Sequence, residues 1–99
     1  MPMTEKQWQE EVLTLASWGG WSWFHCYDSR RSQPGFPDLV LWRERVIYAE
    51  LKTEKGRVRP DQKRVMGELE QAGAEVYLWR PSDRKEVDAV LLARPPATR

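Results

Sequence analysis

The chain has 99 residues, with 16 Lys and Arg against 15 Asp and Glu, 40% hydrophobic and 31% charged, which is the size of one small domain. Its longest uncharged run, from Val12 to Tyr27, is broken by Thr, Ser, Gly and His and excludes a membrane span of about 20 apolar residues. A single cysteine, Cys26, and a single histidine, His25, exclude an intrachain disulfide and a Cys/His zinc centre, so any metal has to sit on carboxylates. Six tryptophans argue against disorder despite the charge. The segment Met1-Pro2-Met3-Thr4-Glu5-Lys6 runs into charge without the apolar stretch of a secretory signal, and a cytoplasmic site is expected. Residues 30–64 carry ten Lys or Arg against five Asp or Glu, which fits either a solvated face or a polyanion-binding surface.

In chain order, Thr4 is a plausible N-cap for a helix to Trp18, with Trp8, Val12, Leu15 and Ala16 recurring at helical spacing. On a wheel of about 100° per residue, Glu5 and Gln9 fall near that apolar stripe and Glu10 opposite it. Gly19-Gly20 ends the helix, and Trp21 to Tyr27 reads as an aromatic strand followed by a polar loop, Asp28 to Pro37. Strands are predicted at Asp38–Trp42 and Val46–Lys52, joined by the turn Arg43-Glu44-Arg45. A basic loop, Thr53 to Pro60, leads to a helix over Asp61–Ala72 with Gly73 as its C-cap. A fourth strand covers Glu75–Trp79, and Ser82 caps a last helix to about Leu92. The order αβββαβα predicts an α/β fold with a small mixed central sheet flanked by helices, in one domain over 1–93, with 94–99 a flexible tail.

Alternation along Val46–Lys52 puts Ile47, Ala49 and Leu51 on one face and Tyr48, Glu50 and Lys52 on the other. A carboxylate and an ammonium two residues apart on an interior strand are expensive to desolvate without a partner. If the two middle strands form a hairpin, Asp38 at the start of one lies beside Glu50 near the end of the other. Two converging carboxylates favour a divalent cation, and oxygen ligands with retained waters suit Mg²⁺ or Mn²⁺. An ordinary surface Glu–Lys pair remains the alternative on spacing alone.

Pro37-Asp38, eleven intervening residues and Glu50-Leu51-Lys52 resemble the PD-(D/E)XK nuclease superfamily. The longer string Gly35-Phe36-Pro37-Asp38-Leu39-Val40-Leu41, then Glu50-Leu51-Lys52-Thr53-Glu54-Lys55-Gly56 and Gln62, resembles its VRR-NUC branch, in the small stand-alone type of bacteriophages and bacteria. The resemblance runs from about Thr4 to Asp83 and implies the αβββαβ nuclease core. It implies Asp38, Glu50 and the backbone carbonyl of Leu51 as metal ligands, Lys52 as the catalytic lysine and Gln62 as a helper. The first-helix acid of the family matches Glu5, acting at the metal indirectly, with Glu11 as a fallback. One departure is Arg59, where members often carry a Ser or Thr that makes a capping box with the glutamine.

The resemblance further implies a DNA endonuclease using Mg²⁺, with Mn²⁺ substituting, in the cytoplasm of a bacterium or a phage-infected host. Junction resolution of the Holliday type is the expected activity, with branched DNA as partner and a homodimer as the acting form. Flap, fork or nicking cleavage, and a silent DNA-binding module, are the alternatives. Arg30, Arg31, Ser32, Lys55, Arg57 and Arg59 are the expected DNA contacts. Trp18, Trp21 and Trp23 exceed what a small core needs and are expected in part at a subunit interface. Trp42 and Trp79 are expected in the core.

Overall fold

The computed structural model describes residues 2–26 and 34–96. Helix α1 spans Glu5–Trp18, and Thr4 caps it as expected: its Oγ1 accepts the Gln7 N–H at 3.1 Å while Gln7 Oε1 accepts the Thr4 N–H at 2.9 Å. Strands β1 (Ser22–His25), β2 (Leu39–Trp42) and β3 (Val46–Leu51) follow, then helix α2 (Pro60–Gln71) and strand β4 (Glu75–Trp79). A 3-10 turn at Pro81–Asp83 leads into helix α3, Arg84–Leu91.

The sheet order is β1-β2-β3-β4, antiparallel at the first two pairings and parallel at β3–β4, with α2 as the crossover. Each predicted element is present, with ends shifted by a residue or two. The capping differs at the C-terminal corner. Ser82 lies inside the 3-10 turn rather than capping a helix, and the Arg80 N–H is taken by Asp83 Oδ2 at 2.8 Å. Helix α2 closes on Ala72, and Gly73 follows in the left-handed region at φ 94°.

One face of the sheet carries the core. Leu39, Leu41, Ile47, Ala49, Leu51 and Trp79 meet Trp8, Val12, Leu15 and Ala16 of α1 and Val87 and Leu91 of α3. Two indole N–H groups are matched inside it: Trp8 Nε1 donates to the Trp79 carbonyl at 3.0 Å, and Trp21 Nε1 to that of Leu91 at 2.8 Å. Trp21 therefore belongs to the core, under the Arg43 guanidinium 4.5 Å above its ring. The other sheet face is covered over β4 by α2, through Val65 and Met66.

Trp42 lies on this second face and is 43% exposed, contrary to the expectation of a core position. By the strand register it shares that face with Phe24, Val40, Val46, Tyr48, Val76 and Leu78. Among the described residues no helix is long and apolar enough to cross a membrane.

Trp8 tests the core. Trp8→Phe removes the N–H to the Trp79 carbonyl and leaves a void where the larger ring stood, at a cost of about 2 kcal/mol. Urea unfolding should show a lower midpoint with an unchanged slope.

Candidate active site

Asp38 stands just before β2, and the register that pairs Leu39 with Ala49 places it opposite Glu50. The two carboxylates converge, each fixed by backbone from the other strand. The Asp38 N–H donates to Glu50 Oε1 at 3.2 Å, and the Leu51 N–H donates to Asp38 Oδ2 at 3.0 Å. In a strand the N–H and C=O of one residue point to the same edge. The Leu51 carbonyl accordingly faces the Asp38 side, while the Lys52 N–H turns to β4 and donates to the Trp79 carbonyl at 3.1 Å.

Glu50 is 1% exposed, and Lys52 and Gln62 are buried beside it. Glu50 Oε2 accepts from Gln62 Nε2 at 2.9 Å and lies 3.3 Å from Lys52 Nζ. Burial, and then the charge of Asp38, push the Glu50 carboxyl up from 4.5 to about 7, against the opposing pull of Lys52. The surface-pair alternative for Glu50 and Lys52 is thereby excluded.

The first turn of α2 is positioned by two contacts. The Arg59 N–H donates to Gln62 Oε1 at 2.9 Å, so half of a capping box persists although Arg59 replaces the usual hydroxyl. Gly35, at φ 87°, backs directly onto that turn, and a Cβ there would lie 2.4 Å from the Asp61 carbonyl oxygen. Only glycine allows both the backbone angle and the approach. The glycine of the Gly35-Phe36-Pro37-Asp38 string thus has a positional task that its place in the motif does not reveal.

The first-helix acid is placed differently from expectation. Glu5 and its neighbours from Thr4 to Gln7 are exposed, so the first turn of α1 lies outside the core whose stripe begins at Trp8. Among the described residues no group of three or more His, Cys, Asp or Glu side chains is arranged to hold a metal. Glu5 is not grouped with Asp38 and Glu50 in this structure. The fallback, Glu11, is committed elsewhere, in an ion pair with Arg84 Nη1 at 2.8 Å. Lys55, Arg57 and Arg59 are exposed, and Arg30, Arg31 and Ser32 lie outside the described residues.

The site as built offers two carboxylates and a backbone carbonyl on one side and an ammonium on the other. The carboxylates and the carbonyl are hard oxygen donors of the kind that divalent cations take, and they are too few to enclose one without water. The convergence of Asp38 and Glu50 beside a single ammonium, Lys52 Nζ at 3.3 Å from Glu50, is the structural observation that matches such a cation.

A mixed sheet with an acid pair and a lysine at its centre defines the PD-(D/E)XK class of nuclease. The VRR-NUC domain family matches residues 3–83, and the chain belongs to that family. A solved structure described as a VRR_NUC domain protein superposes with a TM-score of 0.66 at 19% identity, over 95% of this chain and 93% of the other. The Holliday junction resolvase Hjc of Archaeoglobus fulgidus superposes with a TM-score of 0.55 at 21% identity, over 75% of this chain and 66% of Hjc. No curated protein matches the sequence.

The raised Glu50 carboxyl sets a pH dependence. Its folded value lies above the ordinary 4.5, so the stability it contributes is complete below that value and is lost as pH rises through about 7. In chelator, the wild-type Tm should fall between about pH 5 and pH 8, and Glu50→Gln should remove most of that fall. Differential scanning fluorimetry across the range checks it, and an equal slope in the variant would contradict the assignment.

Proposed function

We propose that this nuclease is a divalent-metal-dependent DNA endonuclease that hydrolyses phosphodiester bonds in branched DNA, in the manner of a Holliday-junction resolvase. The observation that carries the reading is the buried set of Glu50, Lys52 and Gln62, met by the half-buried Asp38 from the start of β2. Asp38, Glu50 and the Leu51 carbonyl would hold Mg²⁺, with Mn²⁺ as a substitute. When bound, the cation supplies Lewis-acid activation of water and neutralises charge on the phosphate.

Lys52 brings an ammonium to within 3.3 Å of Glu50. There it orients the attacking water and stabilises the charge that builds on a phosphoryl oxygen. Gln62 fixes the Glu50 carboxylate while leaving Asp38 free to meet the substrate side. Glu5 acts only indirectly, from the exposed first turn of α1. The products are a 3′-hydroxyl and a 5′-phosphate, as in the superfamily. Lys55, Arg57 and Arg59 flank the site with exposed cations and hold the phosphate backbone, together with Arg30, Arg31 and Ser32.

The acting form is a homodimer, because resolving a junction requires paired cuts on strands related by two-fold symmetry, and one chain carries one site. The patch that supports it is the open sheet face, where Phe24 (61% exposed), Trp42 and Val46 lie on the strands away from α2. The buried Trp21 is no part of it. Interface cores are rich in aromatic side chains.

The test is cleavage of labelled junction, flap, single-stranded and duplex DNA in Mg²⁺ or chelator. Asp38→Asn should abolish cutting with the fold retained, and Lys52→Met should lower the single-turnover rate by about 10² or more. Wild-type turnover in either variant would refute the assignment. Light scattering should give a dimer for the wild type and a monomer for the double variant Phe24→Ser, Trp42→Ser. A wild-type monomer that still makes paired cuts would overturn the dimer.

A further inference from the structure

The loop that follows Lys52 folds around a cation from the next strand. Arg80, directly after β4, places its Nη1 2.6 Å from the Thr53 carbonyl oxygen, 2.8 Å from that of Gly56 and 3.2 Å from that of Glu54. Three carbonyl dipoles pointing inward repel one another unless a positive group sits between them. The contact is reciprocated: Glu54 Oε1 accepts the Ser82 N–H at 2.5 Å, so loop and corner hold each other at two places. One residue back on each chain, the Lys52 N–H donates to the Trp79 carbonyl.

The turn inside this clasp is tight. The Gly56 N–H closes on the Thr53 carbonyl at 3.1 Å. A Cβ on Gly56 would meet Thr53 Oγ1 at 3.0 Å and the Lys52 Cβ at 3.5 Å. The loop therefore lies alongside the base of the Lys52 side chain, with room there only for ordinary contact, and it also carries Lys55 and leads to Arg57.

We propose that Arg80 is a positioning residue of the active site: by binding the 53–56 carbonyls it fixes where the Lys52 ammonium stands. This rests on the nuclease reading of Lys52, and it assigns Arg80 no contact with substrate. Its side chain is turned into the loop, with Nη1 shared among the three carbonyls. A displacement of the order of 1 Å in a catalytic group suffices to cost about 10²-fold in rate, so a clasp on the neighbouring loop is enough to matter.

Arg80→Met keeps the apolar stem and removes the donors and the charge. Measured well below its Tm, with protein saturating over DNA, its single-turnover rate should fall about 10- to 100-fold. DNA affinity in Ca²⁺ should change far less. Arg80→Lys, whose ammonium has three donors for three carbonyls, should regain much of the rate. Hydrogen exchange should show the Gly56 and Ser82 amides losing protection while those of β2 and α2 keep theirs. An Arg80→Met protein that cuts at the wild-type rate overturns the proposal. Should that variant not fold, Arg80→Gln carries the test, since it removes the charge and shortens the reach to the three carbonyls, and wild-type cutting by it is equally fatal. Should the wild type cut none of the DNAs, the nuclease reading fails by itself. The exchange pattern then decides this proposal, which unaltered Gly56 and Ser82 protection would overturn.

Discussion

A carboxylate held out of water governs the rest of this structure. Glu50 sits at the middle of the sheet with almost no exposure, where an ionised acid is tolerated only if several groups meet it at once. Those groups come from three places: the Asp38 N–H at the start of β2, the Gln62 amide from α2, and Lys52 two residues along β3. The hairpin register, the crossover helix and the strand's own alternation must all be correct together. Displacing any one of them leaves a buried charge short of a partner, so the site's chemistry and the fold's specificity share one constraint.

Gln62 shows how the site uses a helix cap. Its carbonyl oxygen accepts from the Arg59 backbone and its amide nitrogen donates to Glu50, so a single side chain serves as cap and as hydrogen-bond donor. A glutamate would fill the capping role equally well, but beside Glu50 it would add a like charge with no proton to give. Only the amide satisfies both neighbours. The missing hydroxyl at Arg59 matters little to Gln62, because the backbone N–H that orients it belongs to any residue but proline.

Much of this arrangement was legible in the sequence because it follows from local periodicity. Two-residue alternation put Glu50 and Lys52 on one face, and the short turn Arg43-Glu44-Arg45 brought Asp38 beside them. The family resemblance contributed what periodicity cannot, namely Gln62 and the Leu51 carbonyl. The misplacements share a cause as well. A helical wheel gives direction around an axis but not where along that axis the core ends, and Glu5 lies beyond that end. A strand pattern shows that two faces exist but not how far a helix covers each, which left Trp42 on the open side. Arg80 gave no signal, since a charged residue after a strand is ordinary until the loop it binds is seen.

The proline of the motif has a physical reason within this register. Leu39 pairs with Ala49 and Asp38 stands opposite Glu50, so continuing one step brings Pro37 opposite Leu51. The Arg43 N–H donates to the Arg45 carbonyl, and in an antiparallel ladder every second pair from there exchanges backbone hydrogen bonds, which makes Pro37 and Leu51 such a pair. Proline has no N–H to give. The strand-to-strand bond that would have occupied the Leu51 carbonyl cannot form, while the Leu51 N–H turns to the Asp38 carboxylate instead. The ladder to β2 thus stops at Ala49, two residues before the strand ends at Leu51, and leaves the Leu51 carbonyl without that strand-to-strand bond. Across β3, the Lys52 N–H still bonds to β4, so the strand is held rigid on one edge at the point where the other is released for chemistry.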